Sequence, residues 1–217
     1  MKRETHEAQT RQRITKVARR LFFQQGYNQT GIRQIAEAAA VQIGTIYHFF
    51  TNKEGVLQQV AMEAFRRVIE RTRRLSEGDN RLEMASEIAW HVYTMVHHRP
   101  SAEMYLVTYN SPIIAAEILQ SQIERSQTLF ASQQPHLSEL QHEVAAMFAK
   151  GIMQSITLRV IDQSLTQPTF IIRETITNIL RLMHVESAHI EHTLERLSAL
   201  RLEARVLRIL ERDVVIS

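Results

Sequence analysis

Only ten of the 217 residues are Gly or Pro, six and four respectively, and this scarcity of chain breakers constrains the fold more than any other feature. A sheet-rich chain needs turn signals about every ten residues. Long helices joined by few loops do not. The apolar pattern agrees. Ile14, Val17, Ala18, Leu21 and Phe22 recur at helical spacing, which puts them on one stripe of a helix. Gly26 follows and can take the left-handed conformation that stops it.

The same reading continues along the chain. Thr30 is a good N-cap for a short helix carrying Ile32, Ile35, Ala36 and Ala39. Ala40 and Val41 separate it from a second short segment, Gln42–Phe49, in which Val41, Ile46 and Phe50 are spaced to pack inward. Ile43, Thr45, Tyr47 and His48 are left to face outward. Asn52 can cap a long helix to about Ser76, before a Gly78-Asp79-Asn80 loop. Helices are then expected over Leu82–His98, from Asn110-Ser111-Pro112 to about Ser132, over His136–Leu165 and from Pro168 to Glu186. Ser187 is positioned to cap a last helix reaching about Arg212. Ser101–Tyr109 reads as a short segment, and the only β-like run is Val214-Val215-Ile216. The expectation is an all-α chain of about ten helices, with a small head over 1–54 and a larger body over 55–217.

Composition excludes several classes. The chain has no cysteine, so it carries no disulfide framework and no Cys-ligated metal site. No run of 18 apolar residues is present, so no transmembrane helix is expected. Met1–Arg13 is polar and charged, unlike a signal peptide. These features lead to an expectation of a cytoplasmic protein with no membrane association. No nucleophile–base motif, Gly-rich phosphate loop or metal-hydrolase motif appears, so an enzyme is not expected, and no cofactor.

The net charge of +3 is unevenly spread. Residues 1–54 hold nine Lys and Arg against four acids, +5, and the other 163 hold 17 basic and 19 acidic residues, −2. A basic end on a near-neutral body suits a nucleic-acid-binding head, although a solvated charged face gives the same count. Three short helices with a tight connection between the second and third make a helix-turn-helix. Its third helix must expose small or polar groups to enter a major groove. Gly44 and Thr45 permit close approach, and Tyr47 and His48 have polar tips for the DNA backbone. Lys53 and Thr30 stand at helix starts, where an anion is favoured.

These residues carry a resemblance. Ile35-Ala36-Glu37-Ala38-Ala39-Ala40-Val41-Gln42-Ile43-Gly44-Thr45-Ile46-Tyr47-His48-Phe49-Phe50-Thr51-Asn52-Lys53-Glu54 resembles the signature of the TetR family of bacterial transcriptional regulators. Ala18-Arg19-Arg20-Leu21-Phe22, Gly26-Tyr27 and Thr30-Gly31-Ile32-Arg33 fit the same pattern, so that the match spans about residues 10–57. The resemblance implies a repressor that binds a palindromic operator as a homodimer and is released by a small-molecule effector held in the helical body. It implies dimerisation through two C-terminal helices, here His136–Leu165 and Pro168–Glu186, with the last helix an addition. By position it points to Thr30, Arg33, Thr45, Tyr47, His48 and Lys53 as DNA contacts, Arg33 and Thr45 on base edges, and Gln42, Ile43 and Gly44 are expected at the same DNA-binding surface. The Lys2-Arg3 arm is placed to reach a minor groove.

The chain departs from the family pattern at three positions. Ala40 stands where Gly is usual, and fits if its φ is negative. Gln42 stands where a capping Ser or Thr is frequent, and is a poor cap. Ile43 replaces a residue that is often polar; it either meets a thymine methyl or packs against the first helix. In the body, Trp90, Tyr93, Met104, Tyr105, Tyr109, Met147 and Met153 fall on the central helices, where they either line an effector pocket or form ordinary core. Glu103, Glu117 and Asp162 could meet a cationic ligand. Two other readings stay open: a helical adaptor whose head has lost DNA specificity, and a metal-responsive regulator using His97-His98 or His184, His189 and His192.

Overall fold

The structure, a computed structural model, describes residues 2–132 and 134–215. Among them it shows eleven α-helices and no strand: α1 Lys2–Gln25, α2 Ile32–Ala38, α3 Ile43–Phe49, α4 Lys53–Ser76, α5 Asn80–His97, α6 Arg99–Asn110, α7 Pro112–Phe130, α8 Glu139–Ile161, α9 Pro168–Leu182, α10 Ser187–Ala199 and α11 Leu202–Val215. Val214 and Val215 are therefore helical, and Ile216 lies outside the described residues.

The head is α1–α3 closed by the start of α4. Ile14, Ala18 and Phe22 of α1 meet Ile35 and Ala39 around α2, Ile46 and Phe50 around α3, and Val56, Leu57 and Val60 of α4. Ile114 and Ile118 of α7 complete this core. A division at residue 54 thus falls inside the first turn of α4, whose next two turns belong to the head core. Asn52 caps α4 as its sequence suggests, accepting from the Gly55 N–H at 2.9 Å.

In the body, α5 is the central helix, packed on α4, α6, α8, α9, α10 and α11. Its Leu82, Ala85, Ala89, Trp90, Val92 and Met95 are all buried. Asp79 caps it, accepting from the Arg81 and Leu82 N–H groups, and also accepts from Arg196 of α10 at 2.6 Å. The expected short segment after Pro100 is a three-turn helix, α6, capped by His98.

The expected single C-terminal helix is broken. Arg201 adopts φ 49° between α10 and α11. The buried residues explain the bend. Ile190 and Leu194 face inward on α10, and Leu202 and Val206 on α11. In one straight helix the second pair would point about 120° away from the first. A left-handed residue at the junction turns both pairs toward α5. Ser187 is the first helical residue rather than the cap; Glu186 holds the cap position without a side-chain bond.

Helix α8 departs from expectation in another way. By length and composition it could cross a membrane, because its most apolar stretch is interrupted by only two charges, Lys150 and Arg159. The same helix gives Ala145, Ala146, Met153 and Ile156 to the core. Its opposite side exposes Leu140, Val144, Met147, Phe148 and Leu158, beside Phe170 at the start of α9.

Candidate functional site

Helix α3 buries Ile46, packs Phe49 against the head core and turns most of its remaining surface outward. Ile43 is 39% and Tyr47 53% exposed. Ile43 therefore faces solvent rather than packing under α1. Gln42, Gly44 and His48 are exposed and Thr45 is half-buried. A side chain at Gly44 would meet nothing within 4 Å, so its lack of one answers no internal packing demand. Gln42 occupies the N-cap without a side-chain cap bond, in keeping with its chemistry. Arg33 is exposed on α2. A shallow groove between the start of α1 and α3 is lined by His6, Thr10, Arg13, Gln42, Thr45 and His48, among others. Arg13 adds a positive charge beside α3 and Glu7 a negative one; sequence periodicity alone could not place them there. The side chains of Lys2 and Arg3 lie outside the described residues.

Two residues expected as anion contacts make hydrogen bonds within the protein, and one turn differs. Thr30 is 1% exposed. Its hydroxyl donates to the Gly26 carbonyl at 2.8 Å and accepts from Gln25 Nε2 at 3.1 Å. The N-cap of α2 is Gly31, and the Gln34 amide reaches back to accept from its N–H at 2.7 Å. Thr30 is thus an internal brace. Lys53 Nζ donates to the Tyr27 and Thr30 carbonyls and lies 4.1 Å from the centre of the Tyr27 ring. Partial burial lowers the Lys53 pKa from its usual value. Ala40 has φ 51°, not the negative value expected, so the turn keeps a left-handed residue although it lacks glycine.

Two small cavities lie in the body among the described residues. The first, about 100 Å³, lies among α4, α5, α7 and α8, with single residues from α6 and α9. Its apolar lining includes Met62, Phe65, Ile69, Ile88, Tyr109 and Met153, and its polar groups include Glu87, His91, Gln122 and Arg125. Arg125 holds Glu87 at 2.6 Å and also bonds Glu83. Burial raises the Glu87 pKa against the pull of Arg125. His91 is pushed down to about 4 by burial, and so is neutral. Its Nδ1 is hydrogen-bonded to the Tyr105 hydroxyl, and its ring lies 4.7 Å from that of Phe65. The second cavity, about 150 Å³, is lined by Trp90, Met104 and Tyr105 among others. Phe65 lines both cavities.

Of the aromatic and methionine candidates, Tyr109 and Met153 therefore line the first cavity, and Trp90, Met104 and Tyr105 the second. Tyr93 instead lines an open cleft with α9–α11 residues. Met147 is 54% exposed on the outer face of α8, because helical spacing does not say which side of a two-sided apolar helix meets the core. The polar groups Glu87, His91 and Arg125 carried no motif and were missed. Glu103 pairs with Arg99, Glu117 accepts from Gln58, and Asp162 accepts from Ser164. His97 bonds Glu203, His98 stacks on Phe23, and His184 bonds Gln141. Among the described residues no three His, Cys, Asp or Glu side chains gather as a metal site would require.

A basic three-helix head with an exposed, small-residue third helix, carried on an all-helical body, defines a helix-turn-helix protein. Residues 14–60, the head and the first turns of α4, match the family described as bacterial regulatory proteins, tetR family. The transcriptional regulator UidR of Escherichia coli (strain K12) is 32% identical over 75 residues, 35% of this chain and 38% of UidR. AcrR of Shigella flexneri is 47% identical over 62 residues, 28% of this chain and 29% of AcrR. The alignment thus spans less than two-fifths of the length of either relative. The whole fold is similar to the crystal structure of RolR in complex with resorcinol: TM-score 0.69, 19% identity, 89% of this chain and 96% of RolR. The fatty acid degradation regulator FadR from Bacillus halodurans gives TM-score 0.56, also at 19% identity, over 78% of this chain and 97% of FadR.

Proposed function

We propose that the chain is a cytoplasmic transcriptional repressor that binds a palindromic operator as a homodimer and is released by a small-molecule effector. The observation that carries this reading is the outward face of α3, where Gly44 leaves open space between Ile43, Tyr47 and His48. A helix that enters a major groove needs such a low profile. Arg33 and Thr45 are assigned to base edges, Tyr47 and His48 to phosphates, and Ile43 to a thymine methyl. Arg13 supplies further positive charge beside them.

The apolar stripe Leu140, Val144, Met147 and Phe148 on α8, with Phe170 of α9, is assigned to the dimer interface. Exposed apolar residues in one contiguous stripe favour a protein partner, and a self-complementary face closes a two-fold dimer. The effector is assigned to the first cavity. At about 100 Å³ it suits a compact, largely apolar molecule, with Glu87, His91 and Arg125 to orient it. Effector binding shifts the population toward a head spacing that mismatches successive major grooves.

The test is selection of bound sequences from a random duplex pool at two salt concentrations. An enriched palindrome is expected. Salt-sensitive binding with no enriched sequence would overturn the reading.

A further inference from the structure

The two cavities differ in charge. The first carries the Glu87–Arg125 pair in its wall. The second is lined by Arg19, Arg67 and Arg71 and, among the described residues, by no carboxylate. The rest of its wall is mostly apolar or aromatic, including Phe23, Phe65, Trp90, Met104, Ile209 and Leu210, with the hydroxyl side chains Thr94, Ser101 and Thr108 among them. It lies where three parts of the molecule meet. Arg19 and Phe23 come from α1, whose Ile14, Ala18 and Phe22 build the head core. Arg67 and Arg71 come from α4, one turn apart. Val206, Ile209 and Leu210 come from α11, which closes one side.

We propose that this second cavity is a binding site for a small apolar monocarboxylate, its ring or short chain against Trp90 and Leu210 and its carboxylate on Arg19 and Arg67. Its volume of about 150 Å³ matches that of an engineered apolar cavity that holds benzene. A guanidinium recognises a carboxylate by paired N–H donors, a strong and directional contact. Arg67 already pairs with Glu63 at 2.9 Å, which holds its side chain in place without neutralising Arg19. The Arg71 guanidinium lies 5.6 Å from the Trp90 ring centre, extending the cationic wall. Because Arg19 belongs to the head and Trp90 to the body, an occupant ties the two together. The cavity also touches the first one directly: Tyr105 lines the second, His91 lines the first, and the two side chains share a hydrogen bond. Occupancy of one is therefore felt by the other.

The chain has one tryptophan, Trp90, and it stands in this wall, so binding reads out directly without DNA. Phenylacetate is titrated against the full-length protein while Trp90 emission is followed, in parallel with phenethyl alcohol and phenethylamine. Saturable change with phenylacetate is expected, at least about tenfold tighter than with the alcohol and absent with the amine. Arg19→Gln, at a half-exposed position, is expected to weaken the acid about tenfold and leave the alcohol unchanged. Ala64→Leu, which fills the cavity, is expected to abolish both. Equal binding of acid and alcohol, no change in Trp90 emission at millimolar acid, or an Arg19→Gln protein that binds the acid like wild type would each overturn the proposal. None of these results depends on whether the head binds DNA.

Discussion

Lys53 fastens the loop after α1 to the start of α4: its ammonium donates to the Tyr27 carbonyl at 2.9 Å and to the Thr30 carbonyl at 3.0 Å. Lys53→Met keeps the aliphatic stem and removes both bonds. The expected loss is about 2 kcal/mol of unfolding free energy, read by urea denaturation. DNA affinity is expected to fall for all sequences alike, as the head loosens. An ammonium spent on a phosphate would also lower the salt slope by about 1 when removed. Here the slope is expected to change by less than that, and gel-shift titrations at several salt concentrations measure it.

Gly44 separates stability from recognition. With no atom within 4 Å of a Cβ there, Gly44→Ala should leave the fold unharmed or raise its stability by up to about 1 kcal/mol. Gly44→Leu should also fold, and should lower operator affinity at least about tenfold by steric block in the groove. Thermal melts and gel shifts on the same preparations test both halves.

Ala40 carries a left-handed backbone, φ 51°, in the turn between α2 and α3. That conformation costs an alanine about 1 kcal/mol relative to glycine. Ala40→Gly is therefore expected to raise stability by somewhat under that amount, since glycine also gains unfolded-state entropy. A rise in melting temperature would be the sign; a fall would show that the alanine methyl makes a compensating contact.

Acid should destabilise the body through His91. Burial holds the folded imidazole near 4, against a usual value of 6.5. Below pH 7 the unfolded chain takes up a proton that the folded chain refuses, so stability falls as pH falls. Between pH 7 and pH 5 the expected loss from this residue is about 2 kcal/mol, continuing down to the folded value near 4. His98, half-exposed and also lowered, acts in the same direction. Urea midpoints measured across this range should drop in the wild type, and His91→Gln should flatten the slope even though it costs stability at pH 7.

The α8 stripe is testable by one charge. Met147, 54% exposed, is replaced by Glu. Placing a carboxylate in an apolar two-fold interface sets two like charges near one another without solvent. The expected product is a folded monomer by light scattering, with operator affinity reduced to that of one head. A dimer that survives Met147→Glu would move the interface elsewhere.

The head was the most legible part of the chain. Its helices are short, and caps, turn residues and a dense motif mark their limits within a few residues. What stayed hidden there was the destination of side-chain hydrogen bonds. Thr30 and Lys53 look alike in sequence, as polar residues at helix starts, yet both turn inward to carbonyls. The body was legible as helices and not as a site. The break at Arg201 carries no Gly or Pro, and only the need to bring both Leu194 and Leu202 onto α5 requires it. The cavity walls combine residues from five or six helices, so that Arg125 shares no local pattern with Glu87 and His91. Met147 and Met153 lie six residues apart on one helix, and only tertiary packing distinguishes the surface position from the buried one.

Helix α4 runs 24 residues without interruption, a rod of about 36 Å. Val56, Leu57 and Val60 fix one end in the head, and Met62, Phe65 and Ile69 further along form cavity wall. A rod of this kind acts as a lever: an occupant that pushes Phe65 sideways tilts the head, and in a two-fold dimer the two tilts add. The gearing depends on helix length and pivot position rather than on the identity of the occupant. Under the proposed function, effector chemistry and operator chemistry can therefore change independently, each at its own end of the same shaft.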